Sequence, residues 1–427
     1  MELPGATPDH IIQALLSQPP ERGACILDSC GRGGSGENRL IAALDPVSVA
    51  EIADPVAALT ALEQALNDPR HTAVFTLSYD IGVEMMGLHS RHHPDPPGLY
   101  LALFDSLLVH DYDTGRTEIT GSASNNWLSL RSDTPDLQEE LLDSPDARSN
   151  FTRNEYISAV EAVKELIREG ETYQTNLTQK IRLPAEREDA AAVFASLRRD
   201  HPAQFSAYIT RSGSTVVSAS PERFFKIAGR EISASPIKGT IRRTGDPLVD
   251  AELRERLANS RKDRAENTMI VDLVRNDLGR VCEFGSVEVE TLCEIEEHPT
   301  LYHLVSIVRG RLRDDAALSD VLSSLFPCGS ITGAPKRRTM EIIDRLEPSP
   351  RGLSMGAIGV RIPGSDGRPA ILDTSVAIRT IEFARGEAVF NVGGGITIDS
   401  DAAAEYEESL LKAKALLRAL GDAHLVE

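Results

Sequence analysis

The sequence predicts an α+β fold, and three observations carry that prediction. Strand-like runs and helical stripes are interspersed along 427 residues without the regular strand–helix rhythm of a parallel sheet. The strand candidates are short and bounded by Gly- and Pro-rich turns. With 41% hydrophobic and 26% charged residues, the composition is globular and the length is ample for a sizeable core.

Residues 1–147 read as an N-terminal region. Within it, 71–82 (HTAVFTLSYDIG) and 98–115 (GLYLALFDSLLVHDYDTG) read as strands, the second closing on an Asp-Thr-Gly turn. The polar, acidic, Ser/Asp/Pro-rich stretch 129–150 reads as the connector to a second region, 148–427. There, apolar residues at 157, 160, 163, 166 and 167 form a helical stripe, with Gly170 placed to cap it. TNLTQKIRL, FSAYIT, STVVSAS, RFFKIAG and REISASP follow as strands. Helices are expected over 249–262, 264–279, 303–309, 316–325 and 334–346, and over 402–420 near the end. GAIGVRI, AILDTSVAIRTIEF and EAVFNVGGGITI read as strands.

The formal net charge of -20 argues against nucleic acid as the main partner, since phosphate binding needs a basic surface. A small anionic substrate needs only a local basic pocket. Five scattered cysteines without a CxxC pair fit reduced thiols in a cytoplasmic protein. No signal-peptide pattern or membrane-length apolar run is seen, so no membrane association is expected.

Several residues stand out chemically. Asp263-Arg-Ala-Glu266 and Glu405-Tyr-Glu-Glu408 each set two carboxylates three residues apart on one helix face. The ordinary explanation is a solvated acidic first turn favoured by the helix dipole. Facing each other, the two pairs could instead hold a hard dication such as Mg²⁺. Lys412 shares a face with Glu408, either as a plain helix pair or as a carboxylate ligand. Gly393, Gly394 and Gly395 could let backbone amides approach an anion or could serve close backbone packing. GSITGAPK (329–336) resembles an anion-binding helix start. His303, alone, reads as a packed histidine, whereas Arg379 in an otherwise apolar strand requires an anionic or carbonyl partner. Finally, SASPIKGT (233–240) sets Lys238 between an extended Pro-Ile step and a Gly-Thr turn.

Taken in order, ETYQTNLTQ, SPERFF, SPIKGT, RAENTMIVDLVRNDLGRV, HLVS, GSITGAPKRRTMEII, GAIGV, AIRTIEF and GGGITIDSDAAAEYEESLLKAKAL resemble the chorismate-utilising enzymes. The likeness is dense over residues 150–420. It continues more weakly in ACILDS, LSYDIG and LYLALFDSLLVHD, which look like the N-terminal region of the component I families. The resemblance implies two large antiparallel sheets packed as a sandwich, with helices outside and both sequence regions contributing. It implies that Glu266 and Glu408 hold Mg²⁺ against the ring carboxylate of chorismate, with Asp263 and Glu405 as second-shell or water-mediated partners. Arg379 and the Gly393–Gly395 backbone match positions that hold the enolpyruvyl carboxylate. Lys412 matches a contact to the metal-bound carboxylate, His303 a position near the ring, and Gly239 and Thr240 a substrate-contacting pair.

Within the family, Pro-Ile-Ala-Gly-Thr is the anthranilate synthase form of the turn and Pro-Ile-Lys-Gly-Thr the aminodeoxychorismate synthase form. The resemblance therefore implies that Lys238, in its neutral form, attacks C2 while Glu222 protonates the departing C4 hydroxyl. Ammonia would then add at C4 and expel the lysine, giving 4-amino-4-deoxychorismate for 4-aminobenzoate and folate synthesis. The alternatives are anthranilate synthase component I, which Lys238 argues against, and an isochorismate or salicylate synthase, which the N-terminal region argues against. No Gly-x-Cys-x-Gly nucleophile turn appears, so ammonia is expected from a separate glutaminase subunit. Ser354 stands where many relatives carry a substrate-contacting tyrosine.

Overall fold

A computed structural model describes residues 2–3, 5–32, 37–93, 97–121, 127, 146–298, 301–364, 369–421 and 425–426. Most of the connector expected at 129–150 lies outside the described residues.

Among the described residues the chain forms a twelve-stranded and a ten-stranded sheet, antiparallel except where Leu425–Val426 pairs with Ala147–Ser149. In the first sheet Gln174–Pro184, Glu387–Ile396, Thr380–Ala384, Ser214–Ser220 and Phe205–Thr210 lie side by side. They continue into the N-terminal strands Cys25–Asp28 and Arg39–Ala43. In the second sheet Ile237–Arg242, Leu301–Arg311, Glu231–Ala234, Arg223–Ala228, Ile371–Val376 and Ala357–Ile362 run in that order. They continue into Thr72–Leu77 and Leu99–Phe104. Both sheets thus take strands from each side of residue 147.

An apolar layer between the sheets includes Val74, Tyr100, Phe104, Ile209, Val216 and Ile358. Burying each such side chain stabilises the fold by roughly 1.5–3 kcal/mol. A second layer packs the outer face of the first sheet against Pro8–Leu16, Asp189–Asp200 and the end of Ala402–Ala419. A third packs the second sheet against Pro55–Asn67, Arg261–Gly279 and Leu318–Leu325. The α+β sandwich with outer helices is the observed architecture. Gly170 follows the Arg153–Arg168 helix at φ +78, as its capping role requires.

Four local expectations are corrected. Residues 303–309 lie in a strand, Leu301–Arg311, not a helix. Short apolar runs are ambiguous in period, and the β-branched Val305, Ile307 and Val308 settle into pairing with strands on both sides. The run 98–115 is two strands, Leu99–Phe104 in the second sheet and Ser106–Asp111 in the first. Strand Thr72–Leu77 stops at Ser78, whose side chain caps helix Tyr79–Met85. AILDTSVAIRTIEF is also two strands, Ile371–Val376 in the second sheet and Thr380–Ala384 in the first.

That last break positions the site. The chain crosses from the first sheet to the second at Pro221-Glu222, and back again at Ala377–Arg379. The crossings lie side by side. Ser214–Ser220 pairs with Thr380–Ala384 in one sheet, and Arg223–Ala228 pairs with Ile371–Val376 in the other.

Candidate active site

Lys238 does not sit on a turn, as SASPIKGT suggested, but on a bulge in the edge strand Ile237–Arg242. Ile237 faces Val305 and Thr240 faces His303, so this strand carries one residue more than its partner between the two pairs. Gly239 absorbs the extra residue at φ +81, a conformation glycine adopts without strain. A Cβ there would also press on Leu257 and Asp263, so the bulge lies directly on the acidic helix Arg261–Gly279. The groups that interact electrostatically with Lys238 are the carboxylates of Glu222, Glu266 and Glu408.

Glu222 is 5% exposed at the crossing between the sheets. Burial pushes its carboxyl up to about 7, opposed by the nearby Ser330 hydroxyl, the field of Lys238 and the Ile237 backbone amide. Its Oε1 has no hydrogen-bond partner. A buried, unsatisfied carboxyl titrating near neutrality, beside an amine, is suited to proton transfer. Ser330 comes from GSITGAPK, whose lysine serves the fold: Lys336 is buried against Asp277 at 2.8 Å and two carbonyls.

Thr240 and His303 share a hydrogen bond of 2.8 Å between Oγ1 and Nδ1. Burial, with His298 and Arg379 nearby, pushes the imidazole down to about 3, so His303 is neutral at working pH. Arg379 is not within a strand. It occupies the second crossing at φ +49, and burial lowers its pKa from the ordinary range. Its guanidinium has no side-chain hydrogen bond or ion pair among the described residues. It lines a cavity with Arg32, Gln204, Ile237, His298 and His303, and with one carboxylate, Glu296. An unpaired, largely desolvated guanidinium in a cavity is built to receive an anion.

The two acidic helices meet. Lys262 Nζ lies 4.0 Å from Glu266 Oε1 and 3.9 Å from Glu405 Oε1, bridging them. Burial raises the Glu266 pKa against Lys238 and Lys262, with Asp263 and Glu405 reinforcing the rise. Glu266 Oε1 is buried without a hydrogen-bond partner, while Glu405 Oε1 accepts from Ser400 at 2.7 Å. Glu408 is more open. Burial raises its pKa, but Lys412 at 2.8 Å, with Lys262 and Lys238, outweighs this and lowers it. The gap that accepts the Lys262 ammonium suits a cation. Among the described residues no three His, Cys, Asp or Glu side chains cluster tightly enough to hold a metal alone. The arrangement fits a hard dication that keeps positions for water and substrate oxygens.

Gly393, Gly394 and Gly395 lie inside strand Glu387–Ile396, and packing explains each. A Cβ on Gly393 would enter the Leu177 carbonyl on the neighbouring strand, and one on Gly395 would collide with the Gln174 amide. A Cβ on Gly394 would stand 3.0 Å from Glu405 Oε2 and 3.6 Å from Lys412 Nζ. Bare backbone therefore lets the Ala402–Ala419 helix bring both side chains down. Lys412 also donates to the Gly393 carbonyl at 2.9 Å. Ser354 is buried and accepts from the Asn391 amide at 3.2 Å.

Three residues were not singled out from sequence: Lys262, Ser330 and Gln174. The Gln174 amide is fully buried with both ends unpartnered. Its only signal was a glutamine in the strand-like run ETYQTNLTQ.

No helix among the described residues is long and apolar enough to cross a membrane, and all five cysteines are unpaired. Residues 23–418 match the family model for chorismate binding enzyme. Aminodeoxychorismate synthase component 1 of Escherichia coli is 38% identical over 82% of this chain and 76% of its own length. Aminodeoxychorismate synthase of Streptomyces pristinaespiralis is 39% identical over 82% of this chain, which spans only 50% of that relative. The solved anthranilate synthase component I of Streptococcus pneumoniae superposes with a TM-score of 0.78 at 26% identity, covering 90% of this chain and 93% of that one.

Proposed function

For a chain that belongs to the chorismate-binding enzymes, we propose amination of chorismate at C4, with Lys238 as covalent nucleophile and Glu222 as general acid. The observation that carries this reading is the juxtaposition of the two groups. Lys238 sits on a strand bulge, and its charge acts on a buried carboxyl poised at about 7.

The neutral Lys238 amine forms a bond to C2 as both ring double bonds shift by one position and the C4–oxygen bond breaks. Glu222 gives its proton to the departing oxygen, which leaves as water. The new secondary ammonium keeps its proton while the water departs. Ammonia bonds to C4, the electrons return, and Lys238 leaves as an amine. The ammonium formed at C4 restores the proton to Glu222. The product is 4-amino-4-deoxychorismate with the enolpyruvyl group retained.

Arg379 binds the enolpyruvyl carboxylate, supported by the Gly393–Gly395 strand. Neutral His303, held by Thr240 beside Gly239, packs near the ring without adding charge. Glu266 and Glu408 would hold Mg²⁺, with Glu405 and Asp263 behind them and Lys412 on the same carboxylate. When bound, the ion would neutralise the ring carboxylate and withdraw charge from the ring.

The relatives named component 1 support a separate partner that supplies ammonia, a glutaminase subunit, and the product suits 4-aminobenzoate and folate synthesis in the cytoplasm. The test is a reaction with chorismate, Mg²⁺ and ammonium salts, products separated by mass and retention. Nitrogen at C4 with the enolpyruvyl group retained supports the reading. Anthranilate with released pyruvate, or isochorismate, contradicts it.

A further inference from the structure

The turn after helix Lys336–Leu346 buries an arginine that the proposed chemistry does not touch. Arg351 is 3% exposed. Its guanidinium donates to the two Glu347 oxygens at 2.9 and 2.7 Å, to the Ile331 carbonyl at 2.8 Å and to the Asn176 carbonyl at 2.6 Å. Its carbon lies 4.6 Å from the centre of the Tyr79 ring. Glu347 also accepts from the amide and hydroxyl of Thr178, at 2.8 and 3.0 Å.

A buried ion pair of this kind is weak evidence for stability, because apolar residues of similar volume often do as well. The identity of the acceptors gives another reason for it. Ile331 directly follows Ser330, whose hydroxyl lies close enough to Glu222 to lower its pKa and also pairs with Cys328 Sγ at 3.3 Å. Asn176 and Thr178 are the register partners of Gly395 and Gly393. One planar fork therefore ties together the turn that touches the acid and the strand that backs the glycines. A lysine cannot reproduce that, since its ammonium has no fixed fork.

We propose that Arg351 is a positioning residue for the reaction, holding the Ser330 hydroxyl against Glu222 and the Gln174–Pro184 strand in place behind Gly393–Gly395. This rests on Glu222 being the general acid. The other titratable groups facing Glu222 are Lys238 across the cleft and Cys328 on the Ser330 turn. Burial pushes the Cys328 thiol up to about 11, so it stays protonated through the range tested.

The experiment measures kcat, KM and pH profile for ammonia-dependent turnover by Arg351→Lys, Ser330→Ala and the double variant, alongside melting temperature. Removing the Ser330 hydroxyl makes Glu222 a weaker acid, so the alkaline decline of kcat/KM moves to higher pH. Arg351→Lys is expected to move it the same way and lower kcat about tenfold. The double variant should shift no further than Ser330→Ala alone. Should Arg351→Lys fail to fold, Glu347→Gln is expected to give a smaller shift in the same direction. A lowered melting temperature with an unmoved pH profile, while Ser330→Ala shifts it, overturns the proposal and leaves Arg351 purely structural. If Glu222→Gln itself leaves the alkaline limb unmoved, the general-acid assignment fails, and the proposal fails with it.

Discussion

Glu222 and Arg379 occupy adjacent crossings between the two sheets. The Glu222 carbonyl accepts from the Val376 amide at 3.1 Å, and the Arg379 carbonyl accepts from the Ala219 amide at 3.0 Å. The two residues, the proposed acid and the proposed anion anchor, are thereby fixed relative to each other by backbone hydrogen bonds of the sandwich itself, the rigid mounting a reacting site needs.

Replacing the proposed nucleophile should separate binding from chemistry. Lys238→Ala is expected to fold, because the side chain is only part-buried in an edge-strand bulge. Its C4 amination should fall on the order of 10³-fold or more, with chorismate binding largely kept. Single-turnover rates and thermal shift by chorismate with Mg²⁺ check both halves.

The pH dependence follows from Glu222. Its folded pKa, about 7, lies above the ordinary glutamate value of 4.5 because burial disfavours the charge. The protonated form acts, so the contribution of this group to kcat/KM is constant below about 7 and falls above it. The same shift costs stability. As pH rises from 4.5 to about 7, the unfolded chain releases a proton that the folded chain keeps. Folding is thus weakened by up to ~3 kcal/mol at neutral pH and above. Glu222→Gln should melt higher than the parent above pH 7 while losing ~10²- to 10⁴-fold in activity. Calorimetry across pH, paired with rates, tests the sign.

Arg379 has no side-chain partner among the described residues, so its removal should affect substrate more than fold. Arg379→Ala is expected to raise the chorismate KM ~10- to 100-fold with little loss of melting temperature. An unchanged KM would remove it from the carboxylate site.

The three glycines should respond unequally. Gly393→Ala meets a carbonyl on the neighbouring strand and should cost ~2 kcal/mol or more in unfolding experiments. Gly394→Ala has more room and should fold, but push Glu405 and Lys412 away. It should resemble Glu405→Gln, raising the Mg²⁺ needed for half-maximal turnover ~10- to 100-fold.

Sequence made the sandwich and most of the site legible through ordered motifs, but local geometry less so. Lys238 read as a turn residue because Gly239 signals a reversal and a bulge equally well. Arg379 read as a strand residue because its apolar neighbours hide the crossing between sheets. His303 fell within an expected helix because four apolar residues among seven have no decisive period. Lys262 and Ser330 gain meaning only when two helices and a turn, distant in sequence, converge. Arg351 is invisible for the same reason, its acceptors lying 4, 20 and 175 residues away.

The most direct measurement is the intact mass of the enzyme quenched after mixing with chorismate and Mg²⁺ in the absence of ammonia, followed by peptide mapping. A gain of one chorismate less one water is expected on the peptide containing Lys238, cleared by ammonium salts and absent from Lys238→Ala. Enzyme that turns over with ammonia but never acquires that mass, or acquires it elsewhere than Lys238, would contradict the covalent role of that lysine.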